Sequence, residues 1–135
     1  MKLNALAKLG FEEVGGCKLD HSLKSQIRFT VTRLKDERVI YAFAVDDEVK
    51  YVGVCDTSNT SLGARMNRYQ GMLGTGTNER ITGHLSRALS HGSVVRILAW
   101  KPQEDFRVGP LRVDLVKGLE NPLIALAEPE WNIHA

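Results

Sequence analysis

Cysteine is nearly missing from this chain: among 135 residues there are two, Cys17 and Cys55. Their separation matches neither a metal knuckle nor a redox pair, and nothing marks an oxidising compartment, so both are read as unpaired thiols. Long apolar runs are missing too. No stretch approaches the uninterrupted length of a membrane span, and the opening Met1-Lys2-Leu3-Asn4 has no secretory apolar core. The expectation is a cytoplasmic protein with no membrane partner. Nor is there a surplus of one charge: 18 Lys and Arg stand against 16 Asp and Glu, and the net charge of +2 is too small to argue for a polyanionic partner by itself.

What is present is ordinary in bulk and uneven in detail. The length suits one continuous core and is short for two, and 43% apolar with 25% charged residues is the composition of a globular domain. Charge is not spread evenly: from Ser61 to Trp100 the chain carries Arg65, Arg68, Arg80, Arg87 and Arg96 against one acid, Glu79. Distribution of this kind informs on partners more than the total does.

The strongest local pattern is a β-hairpin. Val39 to Val45 and Val49 to Val54 are β-branched and aromatic runs flanking Asp46-Asp47-Glu48. A three-residue loop pairs Val45 with Val49, Phe43 with Tyr51 and Tyr41 with Gly53, so that both tyrosines share one face. A two-residue loop would shift the register by one and separate them. Gly53 opposite Tyr41 leaves a gap lined by two phenols that can admit a ligand's backbone; the plainer alternative is that both tyrosines are amphipathic core residues.

Before the hairpin, Asn4 to Leu9 reads as a short helix stopped by Gly10, Phe11 to Leu19 as a strand interrupted by Gly15-Gly16, and Ile27 to Leu34 as a half-buried strand. After it, Cys55 to Thr60 has loop composition, Thr60 or Ser61 can cap a helix, and Leu62, Met66, Tyr69 and Leu73 recur at helical spacing. Gly71 to Thr77 reads as a flexible connection with no phosphate-binding pattern. Asn78 to His91 is an amphipathic helix with Ile81, Leu85, Ala88 and Leu89 inward and a second stripe of Arg80, His84, Arg87 and His91. That stripe is either a solvated face or a ridge for phosphates, and its histidines are too far apart for a helical zinc pair.

Ser93 to Trp100 is a strand expected to join the hairpin, Lys101 to Pro110 a polar loop, and Gly118 to Ala127 contains a last helix that Asn121 can cap with Pro122 in its first turn. Glu120, beside Leu119 and Leu123, is a carboxylate that asks for a cation.

Val39-Ile40-Tyr41 and Tyr51-Val52-Gly53 resemble the paired tripeptides that name the GIY-YIG nuclease superfamily, with Val39 in place of the first glycine and Val52 in place of the isoleucine. Arg65 in Ser61 to Tyr69, Glu120 in Leu119-Glu120-Asn121-Pro122-Leu123 and Asn132 in Pro129-Glu130-Trp131-Asn132 follow in the family's order, and Leu119 to Leu123 with Trp131-Asn132 looks most like its small phage enzymes. The chain departs in a long interval between Tyr51 and Arg65 and in Val54, where some members carry lysine. The resemblance implies an α+β fold of GIY-YIG type: a central three-stranded antiparallel sheet flanked by helices, formed by residues 37–135, with residues 1–36 as an extension adding strands or a short helix.

The resemblance also implies an activity, a divalent-metal-dependent DNA endonuclease of restriction or phage type. Tyr41, Tyr51, Arg65, Tyr69, Glu120 and Asn132 would be the catalytic set, Glu120 would hold Mg2+ or Mn2+, and Arg68, Arg80, His84 and Arg87 would contact double-stranded DNA. A free phenol near pKa ~10 is a poor base at neutral pH, so nearby cationic charge, Arg65 first, would have to favour the phenolate. Which tyrosine acts as base stays open. The other readings are an inactive nucleic-acid-binding module of the same fold and a protein interface built on tyrosine and arginine. A homo-oligomer, dimer or tetramer, is implied by analogy, as a small enzyme cutting two strands needs two sites.

Overall fold

The computed structural model describes residues 1–56, 60–73 and 76–133. Along them run α1 (Leu3–Leu9), β1 (Glu12–Leu19), β2 (Ile27–Val31), β3 (Val39–Val45), β4 (Glu48–Cys55), α2 (Leu62–Gln70), α3 (Gly76–Ser90), β5 (Val95–Trp100), β6 (Phe106–Val108), β7 (Leu111–Val113) and α4 (Leu115–Ala127). Much of the expected loop composition at residues 57–59, and part of the Gly71 to Thr77 connection, lie outside the described residues.

The expected three-stranded unit is present as β5-β3-β4, but the sheet has five strands, in the order β2-β1-β5-β3-β4, with every neighbouring pair antiparallel. The cause is Gly15. A Cβ there would stand 1.8 Å from the carbonyl oxygen of Thr30, so only glycine lets β1 lie against β2 while a bulge between Glu13 and Gly15 keeps it paired with β5. The glycine pair read as an interruption therefore lies inside a continuous strand.

Every residue of β3 is buried, because helices cover both faces of the sheet. Val39, Tyr41, Phe43 and Val45 point to one side, into a core shared with Met66 and Tyr69 of α2 and Ile81 and Leu85 of α3. Ile40, Ala42 and Ala44 point to the other, where Leu6 of α1 and Val116, Leu123 and Ala127 of α4 cover them. Both cysteines are buried free thiols. Among the described residues no helix is long and apolar enough to cross a membrane.

The hairpin reaches the expected register by another route. Val45 pairs with Glu48, which leaves a two-residue turn of Asp46 and Asp47, both at positive φ (48° and 69°). Ala44 pairs with Val49, and Lys50 is then skipped as a bulge, so Phe43 faces Tyr51 and Tyr41 faces Gly53 after all. The turn removes one residue and the bulge restores it. Gly53 does not leave an open gap: a Cβ there would come within 2.6 Å of the Tyr41 ring and hydroxyl, so the phenol itself fills the space.

The helices show three further differences. Leu73 lies past the end of α2 and is 59% exposed, since Gln70 is the last helical residue, while Ser61 caps the start by accepting from the Ala64 N–H at 3.1 Å. The segment read as a polar loop forms the β6–β7 ribbon, turning at Gly109 (φ 58°) and Pro110, a glycine-first turn of the kind that closes hairpins. Helix α4 starts at Leu115, capped by the Asp114 carboxylate accepting from the Lys117 N–H, and Pro122 sits in its interior rather than its first turn. An interior proline costs about 3 kcal/mol, but Pro122 is on the solvent side, and burial of Val116, Leu123 and Ala127 offsets it at about 1.5–3 kcal/mol for each large side chain.

The chain beyond α4 turns at Glu128, which adopts a left-handed conformation, and runs along the outer edge of β4. There the Trp131 N–H donates to the Lys50 carbonyl left over by the bulge (2.9 Å), and Asn132 takes both Val52 backbone groups, its Oδ1 accepting from the N–H at 3.0 Å and its Nδ2 donating to the carbonyl at 2.9 Å. Lys2 bridges Glu48 on the same edge. On the opposite edge of the sheet the Gln70 side chain accepts from the Phe29 N–H of β2 at 2.9 Å. Asn132→Ala leaves Val52 without either partner and is expected to lower stability by about 1–3 kcal/mol. Urea unfolding measures this, and an unchanged midpoint would show that the Asn132 clamp contributes nothing.

Candidate active site

Four of the expected site residues come together on the α2 side of the sheet. Arg65 leaves α2 and donates from Nε to the Tyr41 hydroxyl at 3.1 Å; that hydroxyl is 2.7 Å from the hydroxyl of Tyr69, one helical turn after Arg65. The Arg65 guanidinium carbon lies 5.1 Å from the centre of the Tyr69 ring, in cation–π range. Tyr51 completes the set with its ring 6.2 Å from that of Tyr41. Aromatic neighbours fix the rings: Phe29 of β2 stacks on Tyr69 (5.7 Å, 20°) and Phe43 stacks on Tyr51 (6.0 Å, 23°).

Burial decides the electrostatics. Tyr41 and Tyr69 are fully buried. Loss of water pushes the Tyr41 phenol well above its ordinary value, and the neighbouring phenols Tyr69 and Tyr51 push the same way, while Arg65 pulls down without offsetting them. Tyr69 is likewise raised, first by burial and then by Tyr51. Burial works against the Arg65 charge, but the phenol oxygens of Tyr41, Tyr69 and Tyr51 outweigh it, so the guanidinium stays charged. The arrangement is a neutral phenol pair held by a cation. Only Nε of that cation is bonded within the described residues, which leaves its terminal N–H groups available to a ligand.

Glu120 approaches from the other side of the sheet. It stands on α4, half-buried, and no hydrogen bond or ion pair joins it to Arg65, to the phenols or to any cation among the described residues. Burial and then the charge of Asp56 raise its carboxyl above the usual range. Asp56 follows Cys55 at the end of β4, and Cys55 feels the charge of Arg65. Glu120 belongs to the α4 layer and the Arg65 group to the α2 layer, on opposite faces of the sheet. Asn132 joins neither; its side chain is committed to Val52.

The residues expected on DNA divide in two. Arg68 and Arg87 are exposed on α2 and α3. Arg80 donates to the Trp131 carbonyl, and His84 stacks on the Trp131 ring (5.0 Å, 9°) while accepting from Arg87 at Nδ1 (3.0 Å), so these two also hold the C-terminal segment. Burial, then Arg87 and Arg80, depress the His84 imidazole below its ordinary value, and Glu130 opposes them.

Sequence reading missed Asp56, Phe29 and Gln70. Asp56 was hidden in a polar loop, and Phe29 and Gln70 act only through a strand and a helix end that are distant in sequence. The alternation of Ile27, Phe29 and Val31 placed Phe29 on one face, but not beside Tyr69.

The class that this geometry defines is a mixed α+β protein with an antiparallel sheet, helices on both faces and buried tyrosines hydrogen-bonded to a half-buried arginine. Among solved structures, a glutamate-to-alanine mutant of bacteriophage T4 EndoII shares the fold, with a TM-score of 0.72 at 22% sequence identity over 98% of this chain and 99% of that one. No protein-family model and no curated protein sequence matches the chain.

Because burial holds Tyr41 and Tyr69 protonated, the folded chain binds more protons than the unfolded chain once pH passes the unfolded tyrosine value of about 10. The stability these phenols contribute is complete below that pH and falls as pH rises above it. Ultraviolet titration should find both phenols un-ionised in the native protein past about pH 10 and ionised in urea. Full ionisation of all three tyrosines in the native state at that pH would contradict the burial argument.

Proposed function

We propose that this chain is a DNA endonuclease of the GIY-YIG type, hydrolysing phosphodiester bonds with a divalent cation, Mg2+ or Mn2+, at Glu120. The observation that carries the reading is the Arg65–Tyr41–Tyr69 group: a half-buried charged guanidinium whose terminal N–H groups have no partner among the described residues, fixed beside two buried phenols, suits a phosphate. The fold shared with a phage endonuclease and the family order of Tyr41, Tyr51, Arg65, Glu120 and Asn132 support it.

The donor set fits the cation. Glu120 is a half-buried carboxyl with no protein cation bonded to it among the described residues, and the negative charge of Asp56 acts on it, which is the environment an oxygen-liganded divalent ion stabilises. When bound, the ion supplies Lewis acidity that offsets charge on the phosphate. The remaining work belongs to side chains. Arg65 takes phosphate oxygens through its terminal N–H groups and strengthens as negative charge develops. Tyr41 and Tyr69, sharing one short hydrogen bond, orient the attacking water, and the fraction of the pair that has first lost one proton to solvent takes up the proton of that water. Since burial opposes the phenolate, cleavage that uses it as base becomes faster with pH up to the stability limit. Arg68 and Arg87 contact the DNA backbone, with Arg80 and His84 supporting the same ridge through Trp131. Assembly into dimers or tetramers brings two sites to one duplex.

Plasmid cleavage with magnesium tests the reading. Glu120→Ala and Arg65→Ala are each expected to slow cutting by on the order of 10²-fold or more, with folding checked by circular dichroism. Cutting at the wild-type rate in either variant would remove the assignment. Salt-sensitive DNA binding with no cleavage under any divalent ion would instead identify a non-catalytic module.

A further inference from the structure

The β6–β7 ribbon is the part of the fold that the proposed chemistry does not use. It is inserted between Trp100, whose cross-strand partner Ile40 precedes Tyr41, and Asp114, which caps the helix carrying Glu120. Its two short strands pair with each other and pack substantially against no other element among the described residues. Isolated two-stranded ribbons are marginally stable in water, and this one adds two costs. Phe106, Val108 and Leu111 are 38%, 58% and 66% exposed. Arg107 and Arg112 are also directly opposed across the ladder, an arrangement in which like charges destabilise the strand pair.

Both costs disappear if the occupant is duplex DNA. The tip, Val108-Gly109-Pro110-Leu111, is apolar and narrow, held in a tight turn by the positive φ of Gly109. The two guanidiniums lie just behind it on the other side of the ribbon. Their present partners are weak ones: Arg107 bonds the exposed Asp105 carboxylate at 3.0 Å, and Arg112 bonds the Glu104 carbonyl at 3.2 and 3.3 Å. Exposed pairs of this kind contribute little and exchange readily for phosphate. Behind the ribbon a cleft of about 430 Å³, lined by Arg38, Glu104, Arg112 and Asp114, continues toward the start of α4.

We propose that the β6–β7 ribbon is a wedge that enters a groove of duplex DNA, its apolar tip parting a base step while Arg107 and Arg112 hold the flanking phosphates. Apolar side chains inserted beside arginines that grip the phosphates unstack a step, which fixes where along the duplex the proposed site comes to rest. The wedge rests on the DNA reading given above and adds to it a device for positioning.

The test uses the full chain without added divalent ion and a short duplex carrying a fluorescent adenine analogue that brightens when unstacked. Wild type is expected to bind and brighten it. Val108→Ser with Leu111→Ser should bind with little loss and without brightening, while Arg107→Ala with Arg112→Ala should lower the salt slope of binding by about two. Wild type that binds without brightening overturns the wedge and leaves the nuclease reading intact, whereas wild type that neither binds nor cuts DNA overturns both. Sedimentation supplies the other arm: self-association abolished by the Val108 and Leu111 substitutions would make the ribbon an interface between copies and overturn the proposal.

Discussion

The hydrogen-bonded trio of Arg65, Tyr41 and Tyr69 is the constraint to which the surrounding structure conforms. Two phenols removed from water are tolerable only if each hydroxyl finds a partner, here the other hydroxyl and the Nε of the half-buried Arg65. Gly53 is glycine because the Tyr41 ring occupies the place of its side chain. Tyr69 and Arg65 must lie one helical turn apart, so α2 must begin where Ser61 caps it. The N-terminal strands, which carry none of the proposed chemistry, supply Phe29 as the wall behind Tyr69 and join that wall to the same sheet.

Much of this was legible because it obeys local periodicity. The hairpin, the strand at Val95, the helix after Asn78 and the shared face of Tyr41 and Tyr51 all follow from alternation or helical spacing. The turn was misread for an instructive reason: parity constrains the sum of turn and bulge, so a two-residue turn with a bulge at Lys50 and a three-residue turn without one give the same faces. Pro122 misled because its local penalty was weighed without the apolar stripe that holds α4 in place. Gly109-Pro110 between Val108 and Leu111 did carry a hairpin signal, hidden by the charged residues around it.

Of the expected site, the sequence named the four residues that the structure groups, Tyr41, Tyr51, Arg65 and Tyr69, but not how they are arranged. Order along the chain brought Tyr41, Tyr51, Arg65, Tyr69 and Glu120 into one set, but nothing in that order says that the phenols and Glu120 lie on opposite sides of a sheet. Asn132 entered the set by the family resemblance of Pro129-Glu130-Trp131-Asn132, and its amide instead serves as a surrogate strand for Val52. The Trp131–His84 stack ties that same tail to α3, so the segment after α4 connects the layer bearing Glu120 to the layer bearing the arginines.

One feature of the sheet limits how copies of this protein can meet. Its two outermost strands already have backbone groups engaged, by the Gln70 side chain at Phe29 on one border and by Lys2, Trp131 and Asn132 along β4 on the other. A neighbouring molecule cannot continue the hydrogen-bond ladder at those positions without first displacing a residue of the same chain. Assembly by extending the five-stranded sheet is therefore opposed at Phe29 and along β4.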